Sequence, residues 1–156
     1  MALREIIVVG SQDEQLLREK CREVTSFDKR LHTLLDDMAD TMRFEGRGVG
    51  LAAPQIGICR RIFVADVGDG TGLHEFINPK VTPTGENIPS EEGCLSLPGQ
   101  QVTIMRPSRV TVEAQDRHGN PFTLEADDFL AICISHENDH LDGILCSDRR
   151  IGDQTT

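Results

Sequence analysis

The sequence contains no long apolar run and no targeting segment. None of its hydrophobic stretches approaches the roughly 20 residues that a membrane-spanning helix needs. The opening MALREIIVVG is too short and too soon charged for a signal peptide, and no Arg-rich transit sequence follows it. We therefore expect a cytoplasmic protein with no membrane partner.

Positive charge is also scarce. The chain has 16 Lys and Arg against 26 Asp and Glu, which gives a formal net charge of −10. Binding to the phosphate backbone of nucleic acids requires clustered cationic side chains. The composition argues against broad phosphate-backbone binding, and we expect no specific nucleic-acid partner.

Paired cysteines, repeats and low-complexity segments are missing too. The five cysteines form an odd set without a C-x-x-C pair, which argues against a disulfide framework. Most of them are therefore expected to be small buried side chains. The length of 156 residues and the hydrophobic content of 38% suit one domain, residues 1–156, with a single core.

Helical spacing of leucine and methionine predicts a first helix over residues 25–44. Thr25 or Ser26 is expected to cap its start, and Gly46 to end it. The apolar stripe of this helix is most simply interpreted as a face that packs on the core.

The middle of the chain reads as strands, and a second helix follows. β-branched residues between turn signals predict strands at 61–67, 74–81, 101–105, 109–115 and 121–125. The second helix is predicted over 128–142, with Asp127 as its cap and Gly143 as its terminator. A helix, several antiparallel strands and another helix indicate an α+β domain rather than alternating β-α-β units.

The stretch ISHENDHLDG, at 134–143, is the first candidate for chemistry. His136 and His140 stand four positions apart, so a helix would present both imidazoles on one face to a metal ion. Glu137 lies about 100° round the helix, where it can approach a metal-bound water without being a ligand. The alternative is a surface helix with incidental histidines, but the preceding apolar run AICI favours burial.

Two imidazoles alone hold a catalytic ion poorly, so a third ligand should come from elsewhere in the fold. Asp139 is on the same helix and better suits a hydrogen bond that fixes a ring tautomer. His32 and His74 have no supporting motif. Cys94, in EEGCLSLPG, would complete an open tetrahedral site with water at the fourth position, although a buried structural thiol is the alternative.

A third segment, GVGLAAPQIG at 48–57, has small residues that let backbone pass close to a ligand. A tight turn beside a core helix would explain its glycines equally well. Gln55 is the unusual member, because an amide there can donate a hydrogen bond to a developing oxyanion.

Taken in order, GVGLAAPQ, EEGCLS and HENDHLDG resemble the signature segments of the peptide deformylase family. The resemblance covers most of the chain and weakens at both ends. It implies antiparallel strands around a central metal-bearing helix. It also implies hydrolysis of the N-formyl group of the initiator methionine, with newly synthesised N-formyl-Met polypeptides as substrate and formate as product.

The resemblance further implies roles for individual residues. Cys94, His136 and His140 would be the ligands of Fe2+, for which Zn2+, Ni2+ or Co2+ can substitute. Glu137 would be the general base.

The Leu95 backbone N–H would join the Gln55 amide in stabilising the oxyanion. Glu92 and Arg106 are interpreted as a buried pair behind the site, with a surface pair as the alternative. Four residues resemble positions that line the methionine pocket of the family, although ordinary core packing also explains them: Val49, Phe129, Ile132 and Cys133. Gly50 is expected to offer its backbone groups to an extended peptide substrate.

Three departures from the family pattern bear on function. Ser135 replaces the glutamine that commonly precedes the first ligand histidine, and the N-terminal segment lacks a common proline. Only 13 residues follow Gly143, so transient proximity to the ribosome is expected without the usual long C-terminal helix. Two alternatives stay open: a zinc endopeptidase of the H-E-x-x-H kind, and, because of Ser135, a catalytically impaired metal-binding paralogue.

Overall fold

The structure, a computed structural model, describes residues 2–46 and 49–151. Gly48, which belongs to the glycine-rich segment singled out above, lies outside the described residues. Two α-helices are found within these ranges, α1 at Lys29–Glu45 and α2 at Asp128–Leu141. Seven strands accompany them: β1 Gly50–Ala52, β2 Ile62–Ala65, β3 His74–Pro83, β4 Asn87–Cys94, β5 Leu97–Pro107, β6 Arg109–Gln115 and β7 Pro121–Asp127. Short 3-10 helices lie at Glu14–Arg18, Ala53–Ile56 and Cys146–Arg149.

Every pair of neighbouring strands among these is antiparallel. One sheet has the order β1-β2-β3-β6-β7, and β4 pairs with β5 in a separate hairpin. α2 lies centrally, since its apolar residues share a core cluster with residues of β2, β3, β6 and β7. The expected α+β fold, with antiparallel strands around a central helix, is confirmed.

α1 begins later than the sequence analysis predicted. The helix starts at Lys29, and the Asp28 carboxylate caps it by accepting a hydrogen bond of 3.1 Å from the Leu31 backbone N–H. The prediction of Thr25 or Ser26 as the cap is wrong. Asp28 takes this role because its backbone is extended and its side chain reaches the first turn.

The end of α1 agrees with prediction. Gly46 has a φ of 71°, a left-handed conformation that suits glycine, and its N–H bonds to the Arg43 carbonyl. The buried face of the helix includes Leu35, Met38 and Met42, which pack in one cluster with residues of β1, β2 and β3.

Two strands were missed by the sequence analysis, and both support the functional site. β1 has only three residues, and the segment that it opens, GLAAPQ, lacks the β-branched signal of a strand. β4, with the sequence NIPSEEGC, contains a proline and two adjacent glutamates. Proline is tolerated there because the hairpin is two-stranded, which leaves an edge that needs no ladder donor.

α2 spans nearly the predicted range and ends before Gly143, which has a φ of 74°. Asp127 occupies the N-cap position but its side chain makes no capping hydrogen bond, so that role is not borne out. Among the described residues, no helix has the length and apolar character that crossing a membrane demands. All five cysteines are free thiols.

Candidate metal centre

The β4–β5 hairpin presents Cys94 at its tip. Cys94 pairs with Leu97, so Leu95 and Ser96 form a two-residue turn between the strands. The pairing register shifts between Glu92 and Cys94, and such an irregularity re-aims side chains at the end of a strand. The Cys94 thiol is only half-buried and therefore accessible from the adjacent cavity.

α2 supplies the two histidines that face this thiol. One ligand atom each from Cys94, His136 and His140 lie within 4.8 Å of one another. The Cys94 Sγ is 3.4 Å from the His140 Nε2, and the two imidazole centroids are 5.2 Å apart. Because α2 packs in the core, both rings are at least nine-tenths buried. The structure thus brings together a thiol and two imidazoles from sequence segments about 40 residues apart.

These three donors suit a divalent transition metal. The His136 Nδ1 is 2.8 Å from the Glu92 Oε1, which fixes the ring and leaves its Nε2 to act as a ligand. A thiolate with two imidazoles is a donor set that zinc and iron accept, and three donors leave one tetrahedral position for water or substrate. The side chains of Cys94, His136 and His140 therefore suit a divalent ion such as zinc or iron.

Protons compete with a cation for this cluster. Burial alone lowers the pKa of His136, but the neighbouring Cys94, Glu137 and Glu92 raise it well above its ordinary value. The pKa of His140 is instead lowered, by burial and by the positive charges of His136 and Arg106. An imidazole must be neutral to bind a metal, so metal binding would displace a proton from His136.

A buried network of charges lies behind His136. Arg106 donates from Nε and Nη2 to the two Glu92 carboxylate oxygens, at 3.0 Å each, and from Nη1 to Asp139 at 2.7 Å. Arg149 donates to both Asp139 oxygens, at 2.7 and 3.0 Å. The side chains of Glu92 and Arg106 are 6% and 4% exposed, so they form a buried pair and not a surface one.

This network corrects one expectation and explains a depressed pKa. Asp139 was expected to fix an imidazole tautomer, but it pairs with Arg106 and Arg149, and Glu92 is the carboxylate that holds His136. Burial alone would raise the pKa of Glu92, yet the bonds from His136 and Arg106 hold it at about 2. Glu92 is therefore a carboxylate at any ordinary pH.

Glu137 lies in different surroundings. It is 4% exposed, and its Oε1 has no hydrogen-bond partner among the described residues. Burial raises its pKa to about 7, with Glu92 and Asp139 adding to the rise and His136 and Arg106 opposing it. A buried carboxylate with a free oxygen on a cavity wall suits a proton acceptor.

Gly50 of β1 makes room for this carboxylate. A Cβ at Gly50 would lie 2.6 Å from the Glu137 Oε2 and 2.9 Å from the Cys133 Sγ, distances that atoms do not tolerate. A close approach between β1 and α2 therefore requires glycine at this position. Gly50 was predicted to bind substrate through its backbone groups, and this steric role was not predicted.

Gln55 is held with its amide toward the hairpin tip. Its Oε1 accepts from the Ala52 N–H at 2.9 Å, while its Nε2 is 3.2 Å from the Ser96 Oγ and 3.5 Å from the Cys94 Sγ. The side chain is 1% exposed. Because the Ala52 N–H holds the Gln55 Oε1, the amide nitrogen is the end that faces Cys94 and Ser96. The N–H groups of this amide therefore point toward the cavity side.

A cavity of about 980 Å³ opens beside the cluster. Phe129, 52% exposed, lies at its rim, while Cys133 is buried. The cavity wall includes all five residues predicted to bind substrate, together with Leu95: Val49, Gly50, Phe129, Ile132 and Cys133. Gln100 and Gln101 of β5 also line it. They were not predicted, because they lie in a run of exposed residues and the sequence gives no signal of what such side chains face.

Comparison with known proteins gives a consistent result. The profile of a family described as polypeptide deformylase matches residues 3–155. Peptide deformylase 1 of Clostridium perfringens is 46% identical over 151 residues, covering 97% of this chain and 100% of that protein. A peptide deformylase of Clostridium botulinum is 49% identical over 149 residues, covering 96% and 97%. The crystal structure of peptide deformylase from Thermotoga maritima superposes with a TM-score of 0.90 at 38% identity, covering 97% of this chain and 100% of that one.

Proposed function

The chain belongs to the polypeptide deformylase family, and on that premise we propose that it hydrolyses the formyl group of N-formyl-Met polypeptides and releases formate. The observation that carries the proposal is that Cys94 and His136, which cluster with His140 as three metal donors, line one cavity together with Glu137. A proton acceptor beside an open three-donor site is what metal-assisted amide hydrolysis requires.

We infer Fe2+ as the resident ion, with Zn2+, Ni2+ or Co2+ able to substitute. The Cys94 thiolate removes one unit of positive charge that a third imidazole would leave, and this softer donor suits Fe2+. When bound, such an ion lowers the pKa of water from about 15.7 towards ~7 and polarises a carbonyl oxygen.

Glu137 moves the proton. Its unpaired Oε1 accepts a proton from the attacking water, and the same oxygen then returns it to the departing amine. Gly50 leaves room for this carboxylate, since a Cβ there would lie 2.6 Å from the Glu137 Oε2, and Glu137 lines the cavity. Positioned acid–base groups of this kind typically contribute about 10²–10⁴-fold in rate.

The charge that develops on the formyl oxygen is met by two donors of the protein, the Gln55 amide and the Leu95 backbone N–H. Gln55 is pre-oriented by its bonds to Ala52 and Ser96, and Leu95 follows Cys94 in the turn. Losing one donor of an oxyanion hole typically costs about 3 kcal/mol of barrier stabilisation.

The peptide would bind along β1. Within the described residues β1 pairs with β2 alone, and the Val49 carbonyl points to β2 because it accepts from the Asp66 N–H. Backbone groups alternate in direction along a strand, so those of Gly50 face the open edge and can pair with an extended peptide. Val49, Ile132 and Cys133 then supply an apolar wall for the methionine side chain.

The test is formate release from a formyl-Met tripeptide by the Zn2+- or Fe2+-loaded protein, prepared without oxygen for Fe2+. Glu137→Gln should retain the metal and lose at least about a hundredfold in kcat. Cys94→Ala should lose both metal and activity. Glu113→Gln makes the same substitution at an exposed glutamate of β6. It is the matched control and should have the activity of the parent protein.

Parental turnover by Glu137→Gln would refute the general-base assignment. Absence of formate release in the metal-loaded parent would favour the impaired paralogue, and casein cleavage would favour the endopeptidase. Ser135→Gln tests whether Ser135 makes the protein a catalytically impaired paralogue. The Ser135 hydroxyl donates to the Ala131 carbonyl of its own helix at 2.9 Å, so we expect the change to leave activity within about a factor of three.

Proximity to the ribosome stays a prediction. Between Gly143 and Ile151 the described chain forms the short 3-10 helix Cys146–Arg149.

A further inference from the structure

Two thiols lie in contact away from the cavity, and neither is used in the proposed reaction. The Cys59 Sγ is 3.7 Å from the Cys21 Sγ. We propose that Cys21 and Cys59 form a modification site in which a hydroperoxide converts the two thiols into an intramolecular disulfide.

The backbone pairing beside the two cysteines implies the separation that a disulfide needs. Arg22 and Arg60 form an isolated parallel bridge, in which the Arg22 N–H bonds to the Cys59 carbonyl and the Arg61 N–H to the Arg22 carbonyl. Cys21 and Cys59 each precede one member of this bridge, so both side chains emerge on the same face. Parallel segments lie about 4.8 Å apart, within the Cα separations of about 4.4–6.8 Å found across disulfides.

Only a small side-chain movement would close the bond. The sulfur atoms must approach from 3.7 Å to about 2.05 Å, and we expect χ1 rotation of the two side chains to provide this change. A pair of cysteines that had to be drawn together would instead strain the backbone. The arrangement is pre-formed.

The two sulfurs differ in access, which assigns their order of reaction. Cys59 is half-buried, while Cys21 is 5% exposed and its pKa is raised to about 12 by burial and by contact with Cys59. Cys59 therefore meets the oxidant. Its sulfur takes the terminal oxygen of the hydroperoxide to give a sulfenic acid, and water or an alcohol leaves.

Cys21 then resolves this intermediate. Its sulfur attacks the Cys59 sulfur, hydroxide departs and combines with the Cys21 proton as water, and the disulfide remains. The balance is two thiols and one hydroperoxide giving one disulfide, water and a second water or alcohol. A small-molecule thiol reverses the step.

The cross-link would join the segments of Cys21 and Cys59 at a place where both are hydrogen-bonded to the end of α2. The Cys21 N–H bonds to the carbonyl of Leu141 at 2.8 Å, and the Arg61 guanidinium bonds to the same carbonyl at 3.1 Å. Leu141 is the last residue of α2 and follows His140. The disulfide also closes a loop between positions 38 apart, which contains α1 and β1, and so restricts the unfolded chain.

The experiment uses full-length protein loaded with Zn2+, a redox-inactive ion that occupies Cys94. One equivalent of hydrogen peroxide is added, remaining thiols are alkylated, and the protein is digested with trypsin without reductant. We expect the dipeptide 21–22 joined to the peptide that ends at Arg60, about 2 Da below the sum of the two, and separated again by dithiothreitol. The oxidised protein should melt roughly 5 °C or more above the reduced protein.

Matched variants separate the pair from the other thiols. Cys21→Ala and Cys59→Ser should each abolish the cross-link and the rise in Tm. In Cys21→Ala treated with at least two equivalents of hydrogen peroxide, the unresolved Cys59 should gain about 32 Da as sulfinic acid. Cys146→Ser, another cysteine, should retain both effects.

Three outcomes would overturn the proposal: oxidation of Cys59 of the parent to sulfenic or sulfinic acid without a cross-link, a dominant bond from Cys59 to any other cysteine, or disulfide-linked dimers. The peptide map of the parent decides the matter even if a variant folds poorly. Its outcome is independent of formate release, so failure here leaves the proposed function untouched.

Discussion

Arg106 is the residue whose loss should reveal most about how the site is supported. Its guanidinium pairs with two buried carboxylates, Asp139 and Glu92, and Glu92 in turn holds His136. The Arg106 side chain is 4% exposed. Arg106→Met keeps the approximate length and apolar stem but removes the charge. Glu92 and Asp139 then remain buried, each with one partner fewer.

The magnitude follows from the geometry. Removing one partner of a buried ion pair typically costs about 3–5 kcal/mol, because the remaining charge is left uncompensated. The depression of the Glu92 pKa from 4.5 to about 2, to which His136 and Arg106 both contribute, corresponds to about 3 kcal/mol at neutral pH. We therefore expect the free energy of unfolding to fall by about 3–5 kcal/mol.

Urea unfolding of the metal-loaded protein at pH 7.5 measures the effect, and at an m-value of about 2 kcal/mol/M the midpoint should fall by roughly 2 M. Arg149→Met is the matched control, because Arg149 binds Asp139 too but its side chain is 46% exposed, and it should cost about 1 kcal/mol or less. In Arg106→Met the Glu92 pKa should rise, so the deficit should shrink as the pH is lowered. Equal losses from the two arginine changes would refute the reasoning.

Three further predictions concern the cavity. Gly50→Ala should keep the metal but lower kcat at least about tenfold, because the added Cβ displaces Glu137. Gly93→Ala is the control and should lower kcat less, because its Cβ meets only the Gln100 carbonyl, at 3.5 Å. Equal kcat values for the two variants would contradict this prediction. With chelator present, Glu137→Gln should stabilise the protein by up to about 3 kcal/mol above pH 7 and not at all below pH 4.5. The reason is that burial raises the pKa of the Glu137 carboxyl from 4.5 to about 7, so the charged form destabilises the folded protein. Urea unfolding measured across this pH range tests whether the gain in stability grows as the pH rises. Chelation should abolish formate release, and Zn2+ should restore it in the parent but not in Cys94→Ala.

Local sequence patterns predicted much of the framework. The i, i+4 spacing of His136 and His140, and Glu137 between them, determined how α2 would present its side chains once it formed. β6 follows the predicted range because its alternation of buried and exposed residues is regular. β1 and β4 escaped prediction because they are held by pairing and packing, which outweigh weak intrinsic strand signals.

The electrostatic partners were harder to assign. Asp139 is close to the histidines in sequence and was expected to bond one of them, yet Glu92, which lies 44 positions before His136, takes that role. Sequence distance gives no measure of which carboxylate a folded hairpin brings to a ring. The contact between Cys21 and Cys59 was missed for the same reason.

The amino-acid sequence by itself determined which donors and acceptors the molecule owns, and the helical repeat that places two imidazoles on one face, because these depend on covalent chemistry and a local 3.6-residue period. Only the tertiary structure decided that the hairpin thiol meets those imidazoles, that Glu92 rather than Asp139 orients His136, and that Gly50 must yield space to Glu137. These are contacts between segments far apart in the chain, and they depend on how strands and helices pack.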